Sequence, residues 1–189
     1  MTVKEFKFQY ALGSMSYYDL LKLAHMSKSK YILTALSKNK DWYVKSFTAQ
    51  NPNTPKKILT ILSKNEGWRI RKRIAYNPNV PIELLSTLSK DEFFAVRKGA
   101  AENPNTPTKM IITLSTDKDS NVREGVAQNP NTPVEILTKL SNDKDWHVRR
   151  SLAWNPNTPV EVLTFLTKDE NFYVKRNAKR TLLDKGIQV

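Results

Sequence analysis

The sequence has no cysteine, only five glycines and only two histidines among its 189 residues. Without a thiol the chain can form no disulfide, thiolate metal site or iron–sulfur cluster, and it has no cysteine nucleophile. The histidines, His25 and His147, lie far apart in the sequence, which argues against zinc or haem ligation. The glycine-rich motifs of phosphate-binding loops and serine hydrolases are missing as well. We therefore expect no cofactor, no metal and no catalytic activity.

Long apolar runs are also missing. No segment approaches the roughly 18 apolar residues of a membrane-spanning helix. Residues 1–10 alternate charged and apolar side chains instead of forming the apolar core of a signal peptide. With 39% hydrophobic and 10% aromatic residues, the chain can still bury a core. The sequence thus predicts a soluble, cytoplasmic, folded protein that does not bind membranes.

A repeat dominates the remaining sequence. The tripeptide Asn-Pro-Asn recurs every 26 residues, beginning at Asn51, Asn77, Asn103, Asn129 and Asn155. A sixth copy precedes these five, because Leu33 aligns with Leu59 and Trp42 with Trp68 in the same register. The predicted units are 25–50, 51–76, 77–102, 103–128, 129–154 and 155–180. Residues 1–24 are then an N-terminal cap, and residues 181–189 are a C-terminal tail.

Each unit has the pattern of two short helices. Thr132 and Glu135, on either side of Pro133, have the spacing of a capping box at the start of the first helix, as do Thr158 and Glu161. Apolar residues then follow at helical spacing, and the next Asn-Pro ends the second helix. One such pair cannot bury its apolar faces alone. The pattern therefore predicts an all-α solenoid of stacked helix pairs.

The full pattern is Asn-Pro-Asn-Thr-Pro-x-Glu-Ile-Leu-x-x-Leu, followed by Asp, then by Val-Arg and Ala before the next Asn-Pro. It resembles the leucine-rich repeat variant family, a bacterial relative of HEAT repeats, over most of the chain. The resemblance implies a right-handed α-solenoid or superhelix of six 26-residue two-helix repeats, with a second layer that is α or 3₁₀. Some members carry an iron–sulfur module, for which this chain has no cysteine. Function stays open, since solenoids serve as scaffolds for many sites.

One basic position recurs in every unit. It holds Lys45, Arg71, Arg97, Arg123, Arg149 and Lys175. Six residues upstream stand Asn39, Asn65, Asp91, Asp117, Asp143 and Asp169. In HEAT-like repeats such Asp and Arg residues bond one another and adjacent helix ends, so we interpret this column as structural. The pairs Asp117/Asp119 and Asp143/Asp145 could form a cation site or paired carboxylates, but we interpret them as helix caps. We interpret Gly99 and Gly125 as packing residues.

The next position along holds Ser46, Lys72, Lys98, Glu124, Arg150 and Arg176, and we expect it to point away from the core. With its helical neighbours it gives the second helix a basic and aromatic face, which in solenoids lines the concave surface. Such a mixture can contact phosphates and stack on bases. The candidate nucleic-acid-binding residues are Arg69, Lys72, Arg73, Tyr76, Lys98, Arg150, Trp154, Arg176 and Arg180. The alternative is that the aromatic residues only pack between units.

Charge favours a polyanionic ligand. The chain carries a formal charge of +13, and residues 1–76 contribute +11 of it, from 15 Lys+Arg and 4 Asp+Glu. We predict a repeat scaffold that binds nucleic acid, either DNA or RNA. One alternative is a scaffold for an acidic protein partner. Another is a HEAT-like alkylpurine DNA glycosylase, for which Glu102 or Glu124 would supply the acid.

Overall fold

The computed structural model describes residues 1–64 and 67–188, and all regular elements in these ranges are α-helices. In chain order they are α1 (Val3–Ala11), α2 (Tyr17–Met26), α3 (Lys30–Leu36), α4 (Trp42–Gln50), α5 (Lys56–Ser63), α6 (Trp68–Ala75), α7 (Ile82–Leu88), α8 (Phe94–Glu102), α9 (Thr108–Leu114), α10 (Ser120–Gln128), α11 (Val134–Leu140), α12 (Trp146–Trp154), α13 (Val160–Leu166) and α14 (Phe172–Asp184). The all-α prediction is confirmed. Asn65 of the predicted column lies outside the described residues.

The chain forms two compact units, Met1–Leu88 and Ser89–Val189. In the first, α2, α4 and α6 pack in succession, and a core around Phe6 fills the N-terminal end. In the second, α8, α10, α12 and α14 pack in succession, and α9, α11 and α13 lie against them. We call α3, α5, α7, α9, α11 and α13 first helices, and α4, α6, α8, α10, α12 and α14 second helices. One helix of each kind begins within each predicted repeat, and α14 continues past residue 180 to Asp184, into the predicted tail. The repeat boundaries stay a prediction.

The first asparagine of each Asn-Pro-Asn motif is a structural tie that the sequence did not reveal. Nδ2 of Asn129 donates to the carbonyl oxygens of Ala101 at 2.6 Å and Asn103 at 2.8 Å. Its Oδ1 accepts the backbone N–H of Asn131 at 2.8 Å. Asn155 repeats this arrangement one motif later, as does Asn77 within the other unit. Each of these amides thus joins two successive motifs through buried hydrogen bonds.

The predicted capping boxes are wrong. The hydroxyl of Thr132 donates to the carbonyl oxygen of Val126 at 2.6 Å, and α11 has Pro133 as its N-cap. Thr158 donates in the same way to Leu152 at 2.8 Å, in front of α13. These hydroxyls are buried, and they satisfy carbonyl groups left open where the preceding second helix ends. The pairing with the downstream glutamates is therefore not made.

The Asp caps are confirmed at Asp119 and Asp145, but the cap prediction is wrong for Asp117 and Asp143, whose carboxylates accept hydrogen bonds from Arg97 and Arg123. Oδ1 of Asp119 accepts the backbone N–H of Asn121 at 2.9 Å, in front of α10. Oδ1 of Asp145 accepts that of His147 at 2.9 Å, in front of α12. A hydrogen bond from the Ser120 side chain, with further bonds from His147, lowers the pKa of Asp145 to about 2. This carboxylate is therefore ionised at neutral pH, which suits a helix N-terminus.

The arginine column forms a ladder of buried ion pairs. Nε and Nη2 of Arg97 donate to the two carboxylate oxygens of Asp117 at 2.7 and 2.9 Å, and Nη1 donates to the backbone carbonyl of Asp91 at 2.8 Å. The same contacts recur at two further pairs, Arg123 with Asp143 and Arg149 with Asp169. The structural interpretation is confirmed for these three pairs. The carboxylate partner stands 20 residues downstream, whereas the acidic residue six positions upstream contributes its backbone carbonyl.

Gly125 lies where α10 crosses α8. A Cβ atom built on it would stand 3.1 Å from Cβ of Ala101 and 3.2 Å from the carbonyl oxygen of Lys98. The packing interpretation therefore holds at this glycine. We expect Gly125→Val to lower the free energy of unfolding by about 1–3 kcal/mol, because a branched side chain must push the two helices apart. Urea denaturation followed by circular dichroism measures the change.

The matched control is Lys139→Val, at an exposed position within α11. It introduces the same β-branched side chain without a facing backbone, so its effect should stay within about 0.5 kcal/mol. Equal losses in the two variants would mean that helix propensity, and not the close approach of α8, accounts for the glycine.

Candidate functional site

A groove opens between α12 and α14 in the Ser89–Val189 unit. Its volume is about 550 Å³. It is lined by Gln128, Arg150, Ser151, Trp154, Tyr173, Arg176 and Asn177. Three of the candidate binding residues, Arg150, Trp154 and Arg176, thus lie around one cavity, which we call the α12–α14 groove.

Trp154 is the most conspicuous residue of the groove. It is the last residue of α12, and 49% of it is exposed. The guanidinium of Arg180 lies 5.2 Å from its ring centroid, which is cation–π distance. Gln128 occupies the equivalent position one repeat earlier and is exposed as well. The predicted exposure of Trp154 is confirmed, so a large aromatic surface faces solvent beside a cation.

Two of the arginines at the groove, Arg150 and Arg180, lie against aromatic rings. Arg150 lies 5.4 Å from the ring centroid of Trp146, and its Nη2 is 3.9 Å from a carboxylate oxygen of Glu124. Arg176 and Arg180 are exposed on α14. Stacking on an aromatic face orients a guanidinium without neutralising its charge. Arg176 and Arg180 therefore remain available to an anionic ligand, whereas Glu124 compensates part of the charge of Arg150.

Four further candidates belong to the Met1–Leu88 unit and lie on or next to α6. They are Arg69, Lys72, Arg73 and Tyr76. Arg69 is exposed, and its guanidinium lies 4.7 Å from the ring centroid of Trp68. Nη1 of Arg73 donates to Oε1 of Gln50 at 2.9 Å. Nζ of Lys72 lies 5.8 Å from the ring centroid of Tyr76. Arg69 is thus the most accessible of the three cations.

Comparison with known proteins relates the fold to a family. Residues 121–145 match the family model described as leucine rich repeat variant. The solved structure "A leucine-rich repeat variant with a novel repetitive protein structural motif" superposes with a TM-score of 0.58 and 25% sequence identity. The superposition covers 89% of this chain and 66% of that one. The resemblance to the leucine-rich repeat variant family is confirmed. The matched part of this chain spans just under two thirds of the length of that protein.

Two crystal structures of engineered proteins also match this chain. The first has 20% sequence identity and a TM-score of 0.41, and the superposition covers 90% of this chain and 89% of the engineered chain. The second has 19% sequence identity and a TM-score of 0.44, and the superposition covers 90% of this chain and 63% of the engineered chain. No curated protein matches the sequence.

Within the described residues, no helix combines the length and apolar character that crossing a membrane requires. In the same residues, no group of three or more acidic or histidine side chains could hold a metal ion.

One predicted feature of the second-helix surface is wrong. The position expected to point away from the core is buried at Ser46 and at Glu124, which is only 9% exposed. Neighbouring second helices pack through this position. Oε2 of Glu124 accepts a hydrogen bond from Lys98 at 2.6 Å, and its Oε1 accepts one from Ser151 at 3.2 Å. Lys98 also lies 3.6 Å from a carboxylate oxygen of Glu102, so its charge is compensated inside the fold.

The burial of Trp146 also differs from what the sequence pattern indicates. Its helical spacing with Val148 and Leu152 indicates a fully buried position, yet it is only partly buried, at the first turn of α12, where it packs against the core. Its ring stacks on that of His147 at 3.8 Å and on that of Tyr173 at 5.9 Å between centroids. Apolar spacing alone could not distinguish a core position from this stacked one.

Proposed function

We propose that this repeat protein is a non-catalytic scaffold that binds single-stranded nucleic acid in the α12–α14 groove. The observation that carries the proposal is Trp154, an indole that is half exposed in a groove lined by arginines. A base stacks on this ring, while Arg150 and Arg176 contact the neighbouring phosphates. Base–aromatic stacking and phosphate contacts together are the usual means of binding single strands.

The exposed indole favours a single strand over a duplex. Bases in a duplex are stacked on one another, so a protein ring reaches a base face only where the base is unpaired. The groove volume of about 550 Å³ lies within the roughly 300–1,000 Å³ typical of sites for small ligands. It therefore suits one nucleotide unit of a longer strand.

Charge supports the same ligand. The +11 carried by residues 1–76 and the exposed Arg69 on α6 supply a positive field that speeds the encounter with a polyanion. Arg73 and Lys98 contribute less than the sequence suggested, because both are hydrogen-bonded within the fold. An acidic protein partner would also respond to this field. The exposed ring beside guanidinium groups favours a base.

The glycosylase alternative has less support. Glycosidic bond cleavage needs a carboxylate that can reach the reacting base. Neither Glu102 nor Glu124 lines the α12–α14 groove, and Lys98 contacts both carboxylates. The groove thus offers donors and an aromatic surface, which suit binding.

The proposal is tested by fluorescence anisotropy with labelled single-stranded DNA, RNA and duplex DNA. Affinity for single strands should fall steeply between about 50 and 200 mM salt, as phosphate contacts require. Arg176→Glu should weaken binding by about tenfold or more, because it replaces a phosphate contact by a repulsive charge. Trp154→Ala should weaken binding by about fivefold to a hundredfold through loss of stacking.

Lys139→Glu on α11 is the matched control, because Lys139 is exposed and does not line the groove. It makes the same charge change and should alter affinity much less than Arg176→Glu. Absence of binding at low micromolar protein would overturn the proposal, as would equal losses in both variants. Binding of a poly-glutamate peptide that single strands cannot displace would favour an acidic protein partner instead.

A further inference from the structure

A second exposed aromatic ring lines the α12–α14 groove. Tyr173 lies in the first turn of α14, and 53% of it is exposed. Its ring stacks on that of Trp146 at 5.9 Å between centroids, with 25° between the two planes. The groove therefore has an aromatic surface on α14 in addition to Trp154 on α12.

Two contacts show where the rings lie along the groove. Trp146, in the first turn of α12, contacts Tyr173. Trp154, the last residue of α12, contacts Arg180. Tyr173 and Arg180 are seven residues apart on α14, which corresponds to about 10.5 Å along the helix axis and to nearly the same helix face. Tyr173 and Trp154 thus lie at opposite ends of the groove, on the order of 10 Å apart.

Guanidinium groups lie between these two rings. On α12, Arg150 follows Trp146 by four residues and precedes Trp154 by four. On α14, Arg176 follows Tyr173 by three residues and is exposed. Both arginines line the groove. Along the groove the order is therefore ring, cations, ring, which matches the order base, phosphate, base in a nucleic-acid strand.

The neighbouring contact between α10 and α12 lacks this order. Gln128 stands where the next repeat has Trp154, and Glu124 stands where it has Arg150. Glu124 is buried, and it accepts a hydrogen bond from Lys98 at 2.6 Å. The packing of successive second helices therefore does not itself require a ring and a cation at these places. A structural role alone does not explain them.

We propose that Tyr173 stacks a second base, so that the α12–α14 groove binds two bases of one strand, with the phosphate between them at Arg150 and Arg176. The inference rests on the function proposed above. Stacked bases are about 3.4 Å apart, so a separation on the order of 10 Å leaves room for one base against each ring. The groove volume suits one nucleotide unit, and the second base lies at the end of the groove, on the exposed part of Tyr173. Because stacking accepts any base, we expect no base preference.

The test uses anisotropy titrations of the full chain with two labelled strands. One consists of thymine nucleotides, and the other consists of abasic sugar-phosphate units with a single thymine at the centre. Tyr173→Ala should weaken binding of the thymine strand by about fivefold to a hundredfold, because one stacked base is lost. Affinity for the single-thymine strand should fall by less than about twofold, because the larger indole of Trp154 still holds its one base.

Two variants serve as controls. Tyr173→Phe keeps the ring and should bind both strands like the wild type, since stacking needs no hydroxyl group. Phe165→Ala removes an aromatic residue of α13 that is 54% exposed and does not line the groove, and it should leave both affinities unchanged. If Tyr173→Ala loses helicity, Tyr173→Leu gives the same comparison, because leucine keeps an apolar contact with Trp146 but has no ring.

The failures of the two proposals can be distinguished. If Tyr173→Ala weakens binding of both strands equally, or of neither, while Trp154→Ala weakens both, the second base is refuted and the proposed function stands. A loss of affinity for the thymine strand in Tyr173→Phe would assign the effect to the hydroxyl group and would also refute the second base. If no strand binds, both proposals fail.

Discussion

Replacing Asn129 by alanine should lower the free energy of unfolding of the Ser89–Val189 unit by about 3–5 kcal/mol. The side chain is fully buried and makes three hydrogen bonds to backbone groups. Alanine leaves the carbonyls of Ala101 and Asn103 and the N–H of Asn131 without this partner. Each unsatisfied buried group is unfavourable by about 1–3 kcal/mol. Urea denaturation monitored by circular dichroism gives the change.

The neighbouring Asn131 provides the control. It is exposed, and its Nδ2 makes one hydrogen bond, to the carbonyl oxygen of Pro104 at 2.6 Å. Asn131→Ala should therefore change stability by less than about 1 kcal/mol. Asn129→Asp should destabilise at least as much as Asn129→Ala, because it directs a carboxylate at two carbonyl oxygens. Similar small effects in all three variants would refute the role assigned to the buried amide.

The repeating asparagines explain why the motif tolerates a proline. Proline after Asn129 ends α10 and removes a backbone donor. The asparagine side chain supplies donors at this point and bonds backbone carbonyls 26 and 28 residues earlier in the chain. At the C-terminal end, where the next motif would begin, the hydroxyl of Thr181 donates to the carbonyl of Ala153 at 2.6 Å. A shorter side chain thus makes an equivalent bond.

Much of the fold follows from local pattern. Apolar residues at helical spacing, with prolines at a 26-residue interval, indicate short paired helices, and the structure has helices at these places. A structural role for the arginine column could also be anticipated from its fixed register with an acidic residue, although the carboxylate partner of Arg97 is Asp117 and not the upstream Asp91. In both cases the informative residues are near in sequence or periodic, so no three-dimensional knowledge is required.

The errors have a common cause. Thr132 bonds Val126 instead of capping α11, and Glu124 is buried between second helices instead of facing solvent. Thr132 bonds a carbonyl six residues earlier, at the end of the preceding helix, whereas Glu124 is fixed by Lys98 and Ser151, which are 26 and 27 residues away. A pattern that treats each unit separately does not contain this information.

The residues of the candidate site also differ in how well the sequence could predict them. Trp154 could be identified because polar residues occupy its position elsewhere, which indicates exposure. Lys98 could not be excluded, since its partner Glu124 comes from the next repeat. Tyr173 was not among the candidate binding residues, because its place at the groove depends on how α14 packs against α12. Comparison of residues across this helix–helix contact is what reveals the second ring.

The second large effect is expected for Asp117→Asn, which should lower the free energy of unfolding by about 2–4 kcal/mol at neutral pH. Arg97 is 8% exposed and donates two hydrogen bonds to the Asp117 carboxylate. The substitution keeps the shape of the side chain but leaves a buried guanidinium without its counter-charge. The exposed carboxylate of Glu135 on α11 supplies the control, and Glu135→Gln should change stability by less than about 0.5 kcal/mol.

The pH dependence distinguishes a charge effect from a packing effect. Burial of Asp117 opposes ionisation, but hydrogen bonds from Arg97 and from the backbone of Asp119 outweigh it and lower the pKa of the carboxyl below its ordinary value. The folded state then binds the proton less readily than the unfolded state. The contribution of this pair is therefore complete above about pH 4 and is lost as the pH falls through the lowered pKa.

Urea midpoints of the wild type and of Asp117→Asn, measured from neutral pH into the acid range, should accordingly converge. The difference should be constant above about pH 5 and should shrink below about pH 4, since protonation removes the same charge that the substitution removes. A difference that persists unchanged in acid would mean that the introduced amide disturbs packing and that the ion pair itself contributes little. Such a result would leave the buried asparagines as the main polar ties between successive motifs.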